Sequence, residues 1–137
     1  MKTTNTSPIR ILIVDDNVEV RTALADALTA IRDFRIVGIA RNGYEGVALA
    51  TRFKPDVVLL NFSMPFMDGI ETTRYIRQRV AHLSIFMISA YDDPELIHAA
   101  FDAGVAGYFL KPVVAMDQFE DAIRLVAEID HQAIVGI

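Results

Sequence analysis

The stretch VVLLNFSMPFMDG, Val57 to Gly69, decides how this chain is read. Four apolar residues run without polar interruption, stop at Asn61, and give way to a loop punctuated by Pro65 and Gly69. A strand with no polar alternation needs cover on both faces, as in a parallel sheet flanked by helices. The run ends on an amide, whereas a comparable run, Ile9–Val14, ends on two carboxylates, Asp15 and Asp16.

Outward from that stretch, strand-like and helix-like segments alternate. Ile9–Val14 is a β-branched run. Val20, Ala23, Leu24, Ala27, Leu28 and Ile31 recur at helical spacing and predict a helix from about Val18 to Ile31. Phe34–Ala40 reads as the second strand, and Asn42-Gly43 as a turn before an Ala-rich helix ending near Phe53. Lys54-Pro55-Asp56 breaks that helix and launches the third strand, Val57–Leu60. A helix from about Ile70 to Val80 precedes a fourth strand, Ile85–Ile88. Asp93-Pro94 opens the next helix, proline suiting its first turn, and Gly104 ends it. Gly107–Leu110 is the fifth strand, and a helix from Met116 to about Ile129 closes the series. The pattern predicts an α/β fold: a flavodoxin-like, doubly wound, five-stranded parallel sheet with five helices, (βα)5.

In such sheets ligands bind outside the carboxyl ends of the strands. Asp15 and Asp16 stand at the first such end, Asn61 at the third, Ser89 at the fourth, and Lys111-Pro112 at the fifth.

Those residues, in that order, resemble the receiver domain of two-component response regulators. The motifs are the Asp15-Asp16 pair, S-M-P-x-M-D-G over Ser63–Gly69, Ser89-Ala90, and G-x-x-G-Y-x-x-K-P over Gly104–Pro112. The resemblance covers about Ile9 to Ile129, leaving residues 1–8 as a leader and 130–137 as a tail or the start of a linker. In that family the third strand ends in an aspartate that accepts a phosphoryl group from a kinase histidine. Asn61 stands in its place, so the resemblance implies an acceptor position that is inactive as written. Either Asn61 is native to a degenerate receiver, or it is a substitution in an ordinary one.

The resemblance also implies the remaining roles. Asp16 would bind Mg²⁺ (or Mn²⁺) directly, Asp15 mostly through water, and the backbone carbonyl of Ser63 would be a further ligand. Lys111 would face the phosphoryl oxygens, Ser89 would move when phosphate arrives, and Tyr108 would swing in behind it. Asn61 would offer the ion a neutral oxygen at most, which weakens its binding. The implied partners are a sensor histidine kinase or phosphotransfer protein, docking near the first helix. A downstream output domain or partner would use Pro94 to Ile129, and a homodimer is also consistent with the resemblance. RIVGIARNGYEGVALA (Arg35–Ala50) and GIETTRYIR (Gly69–Arg77) look most similar to receivers whose output is a DNA-binding helix-turn-helix.

Composition bounds the alternatives. The 137 residues are 53% hydrophobic, enough for one real core. A net charge of −5 argues against direct nucleic-acid binding by this segment. The absence of cysteine excludes disulfides and cysteine metal or redox sites. No stretch near the N-terminus suits a signal peptide or membrane span, so a cytoplasmic, non-enzymatic signalling domain is expected. A Mg²⁺-dependent aspartate-nucleophile phosphatase would want D-x-D after the first strand, and the chain has Asp15-Asp16-Asn17. A nucleotide or flavin binder would want a glycine-rich first turn, and DDNVEV is acidic and glycine-free. His82, His98 and His131 read as solvated, and Met64, Met67 and Met87 as packing residues.

Overall fold

The computed structural model describes residues 7–111 and 116–129; His131 and Pro112 lie outside them. Strands β1 (Ile9–Val14), β2 (Phe34–Ala40), β3 (Val57–Asn61), β4 (Ser84–Ser89) and β5 (Gly107–Leu110) alternate with helices. The helices are α1 (Val18–Thr29), α2 (Gly43–Phe53), α3 (Gly69–Arg79), α4 (Pro94–Ala103) and α5 (Met116–Ile129). The strands form one sheet in the order β2-β1-β3-β4-β5, parallel throughout. The expected doubly wound (βα)5 fold is the one observed.

All five residues of β3 are buried, because each face of this central strand meets a separate core. Leu12, Val14, Val58, Leu60, Ile85 and Met87 point to one face, with Ile70 and Ile76 of α3 and Ala100 of α4. Ile11, Ile13, Val57, Leu59, Phe86 and Ile88 point to the other, with Leu28 of α1 and Phe119 and Ile123 of α5. Successive strand side chains alternate in direction, so a run that is apolar at every position feeds both cores. Met87 is fully buried and Met67 nearly so, which makes both packing residues.

Local signals set the helix ends. The side chain of Asn17 accepts from the Val20 N–H at 3.0 Å, and Asp68 forms a reciprocal capping box with Glu71. Asn42-Gly43, expected as a turn, is instead the N-cap and first residue of α2, with the Asn42 side chain accepting from the Glu45 N–H at 2.8 Å. Gly43 is required there for space: a Cβ would lie 2.4 Å from Thr72 Oγ1 and 2.8 Å from Met67 sulfur. Helix α1 ends at Thr29, short of the expected Ile31. The Ile31 N–H reaches back three residues to the Leu28 carbonyl, tightening the exit, while its side chain still packs on the core.

Candidate functional site at the carboxyl end of the sheet

Parallel register brings the strand-end residues together. Val14 pairs with Leu60, so Asp15 and Asn61, one residue on, emerge side by side. Asn61 pairs with Ile88 and Ser89 with Leu110, which places Ser89 and Lys111 along the same edge. The ladders continue past the strands: the Phe62 N–H donates to the Ile88 carbonyl at 2.9 Å, and the Lys111 N–H to the Ser89 carbonyl at 2.8 Å.

Asp15 is 2% exposed, and its carboxylate accepts from the Asn17 N–H at 2.9 Å. Burial pushes this carboxyl above its ordinary range; the Asn17 N–H and the charge of Lys111 act the other way, and the charge of Asp16 adds to the rise. Arg21 donates to the Asp15 carbonyl at 3.0 Å, which fixes α1 to the strand end. Asp16, by contrast, is exposed.

Asn61 is 4% exposed and its amide nitrogen makes two hydrogen bonds. One goes to Asp16 Oδ1 at 3.2 Å and the other to the Ser63 carbonyl at 2.7 Å. Its own Oδ1 is buried and meets no donor among the described residues. An amide turned over would face two acceptors with an oxygen, so the network itself assigns the orientation.

The loop after β3 is shaped by Gly69 and Phe66. A Cβ at Gly69 would lie 2.9 Å from both the Asn61 carbonyl oxygen and Phe62 Cα, so only glycine lets α3 start against the strand end. The Met67 N–H donates to the Pro65 carbonyl at 2.8 Å across Phe66, whose φ of 71° makes this a tight, strained γ-turn. Phe66 is thereby held out in solvent, 87% exposed.

Ser89 is 1% exposed, and its Oγ accepts from the Tyr91 N–H at 3.0 Å. Tyr108 is half-buried and donates its hydroxyl to the Tyr91 carbonyl at 2.7 Å. Tyr91 therefore links the two residues through its backbone, while its ring packs edge-on against Phe62 at 5.9 Å. Sequence reasoning passed over Tyr91, because a role carried by a peptide N–H and C=O leaves no side-chain signal. Of the histidines, His82 is exposed, and His98 lies 3.5 Å from Asp102 on the exposed face of α4.

The sequence profile of the response regulator receiver domain matches residues 11–124. The chain belongs to this family. Across 120 residues this receiver is 37% identical to the transcriptional regulatory protein LiaR of Bacillus subtilis, covering 88% of this chain and 56% of LiaR. It thus spans about half the length of that relative. The signal receiver domain of NarL from Mycobacterium tuberculosis superposes with a TM-score of 0.83 at 28% identity, over 89% of this chain and 98% of that one. A chain of the CheX-CheY-BeF3-Mg²⁺ complex from Borrelia burgdorferi superposes at 0.81 with 28% identity, over 88% and 90%. Among the described residues no helix is long and apolar enough to cross a membrane.

Whether this receiver fits a divalent cation turns on Asn61. The described residues bring no three His, Cys, Asp or Glu side chains together as metal ligands. Two of the oxygens that the resemblance assigns to the ion, on Asp16 and Ser63, already accept the Asn61 amide protons. As arranged, the residues do not fit the ion.

Proposed function

We propose that this chain is a receiver domain that takes part in two-component signalling by binding rather than by accepting a phosphoryl group. The observation that carries this is Asn61, buried at the end of β3 with both amide N–H bonds engaged. Phosphoryl transfer to a strand-end carboxylate needs an anionic oxygen as nucleophile. An amide oxygen has delocalised lone pairs and carries no charge. Among the described residues this oxygen is also buried at the site with no donor to orient it.

The other positions are assigned by the same reading. Asp15 and Asp16 form the acidic end, with Asp16 and the Ser63 carbonyl anchoring Asn61. Lys111 supplies positive charge at the opposite side of the edge, as the anion-facing residue. Ser89 and Tyr108 are the switch pair, and both rest on Tyr91. A sensor histidine kinase or phosphotransfer protein is the partner of the first-helix face. The relative LiaR is a transcriptional regulatory protein about twice as long as the matched region. An attached or separate transcriptional output is therefore the proposed destination of the signal, through the α4–β5–α5 side. The net charge of −5 keeps direct nucleic-acid contact away from the receiver itself.

The test is Asn61→Asp. With Mg²⁺ in the buffer and acetyl phosphate as donor, the variant should gain the mass of one phosphoryl group while the parent gains none. Label on the parent would place the acceptor elsewhere and end this reading of Asn61. A variant that stays unlabelled would show that more than one atom separates this chain from a working acceptor.

A further inference from the structure

Both amide protons of Asn61 are spent on oxygens of the acidic loop ends: Asp16 Oδ1 at 3.2 Å and the Ser63 carbonyl at 2.7 Å. The residue is 4% exposed, and among the described residues its side-chain carbonyl oxygen meets no donor. A small, hard divalent cation approaches its oxygens to about 2.0–2.1 Å. To reach these two oxygens it would have to occupy the space that the NH₂ group fills. Rotating the amide would break both hydrogen bonds and bring an oxygen against two other acceptors until the ion arrived.

We propose that Asn61 is a resident surrogate for a divalent cation, its amide group bridging Asp16 and the Ser63 carbonyl and keeping metal ions out of the site. This rests on the receiver reading and deepens it by stating how the site is regulated. The bridge joins the β1–α1 loop to the β3–α3 loop through an uncharged donor, with one hydrogen bond to a carboxylate and one to a backbone carbonyl. The loop arrangement is then set by the chain alone and does not follow divalent-ion concentration.

A resident competitor and a weak ligand at position 61 order the affinities differently. A weak ligand still helps, so affinity for the ion would fall in the order Asp, Asn, Ala at position 61. A resident competitor hinders, so the order becomes Asp, Ala, Asn. Alanine contributes no ligand, but it leaves Asp16 and the Ser63 carbonyl free. Displacing the amide forfeits two hydrogen bonds of modest net value, so Asn61→Ala should bind the ion roughly tenfold more tightly than the parent.

Mn²⁺ is the probe, its free-ion electron paramagnetic resonance signal being followed against the whole chain at matched ionic strength. The parent, Asn61→Ala and Asn61→Asp are compared. A parent that binds Mn²⁺ as tightly as or more tightly than Asn61→Ala overturns the proposal. A second measurement does not depend on the alanine variant folding. The side-chain amide resonances of Asn61 should stay in place at Mg²⁺ concentrations that saturate Asn61→Asp, and their displacement there overturns the proposal. The receiver reading fails separately. A parent chain that takes a phosphoryl group from acetyl phosphate would sink that reading, while the order of affinities would still support the surrogate.

Discussion

Asp15 and Asp16 are neighbours in the chain and opposites in the structure. Asp16 lies open to solvent and holds the Asn61 amide, while Asp15 is buried at the end of β1. Burial is the main reason the Asp15 carboxyl is held above its ordinary range. An acid whose folded pKa is raised is worse off ionised in the fold than in the unfolded chain. The penalty is fully present above the folded pKa and fades as pH falls through it. Asp15→Asn keeps an oxygen for the Asn17 N–H and removes the buried charge. Differential scanning calorimetry at pH 7.5 should show it melting a few degrees above the parent, with the gap closing at acid pH. A lower melting temperature at pH 7.5 would mean that attraction to Lys111 and Arg21 outweighs desolvation. The Asp-Asp pair was legible in the sequence; that one member is buried and the other exposed was not, because both follow the same strand.

At the scale of elements, α3 is tied to the α4–β5 connection by one side chain. The guanidinium of Arg77 donates to the Gly104 carbonyl from Nε at 3.1 Å and Nη2 at 2.8 Å, and to the Leu83 carbonyl from Nη1 at 2.7 Å. Burial lowers its pKa, yet a guanidinium stays charged, so a half-buried cation is satisfied here by backbone oxygens. Only a planar fork of donors can serve two carbonyls from separate segments at once. Arg77→Lys is expected to cost about 1–3 kcal/mol in urea unfolding, with an unchanged m-value, and Arg77→Met more. A lysine variant as stable as the parent would reduce these contacts to incidental ones. In the sequence Arg77 is one of several exposed-looking polar positions of a helix, GIETTRYIRQR. Its partners lie 27 and 6 residues away, and nothing in the helical period marks it.

For the whole molecule, the expected behaviour follows from linkage. A ligand moves a conformational equilibrium only through its different affinity for the two states. On the proposed reading acetyl phosphate with Mg²⁺ finds no acceptor on the parent chain, and hydrogen exchange in α4 and β5 should then be unchanged by their addition. In Asn61→Asp the same reagents should alter exchange there, since Ser89, Tyr91 and Tyr108 connect the edge to β5. A response in the parent would show that its switch can be driven without the carboxylate.

The fold class was legible because it rests on local signals repeated along the chain. VVLL and IFMI are apolar at every position, and a strand buried on both faces has few architectures open to it. Helix boundaries came within a residue or two, since Asn17, Asp68, Pro94 and Gly104 act on the backbone next to them. The same logic placed Asp15, Asp16, Asn61, Ser89 and Lys111 at one edge, because parallel strands put all their carboxyl ends on the same side. The tertiary structure alone decided what those residues do to one another. The bridge from Asn61 to Asp16 and Ser63, and the link of Ser89 and Tyr108 through the Tyr91 backbone, depend on rotamers and on peptide groups brought together across gaps of up to 45 residues. A sequence names the side chains at a site; hydrogen bonds between distant segments, and donors that belong to the backbone, exist only once the strands are in register.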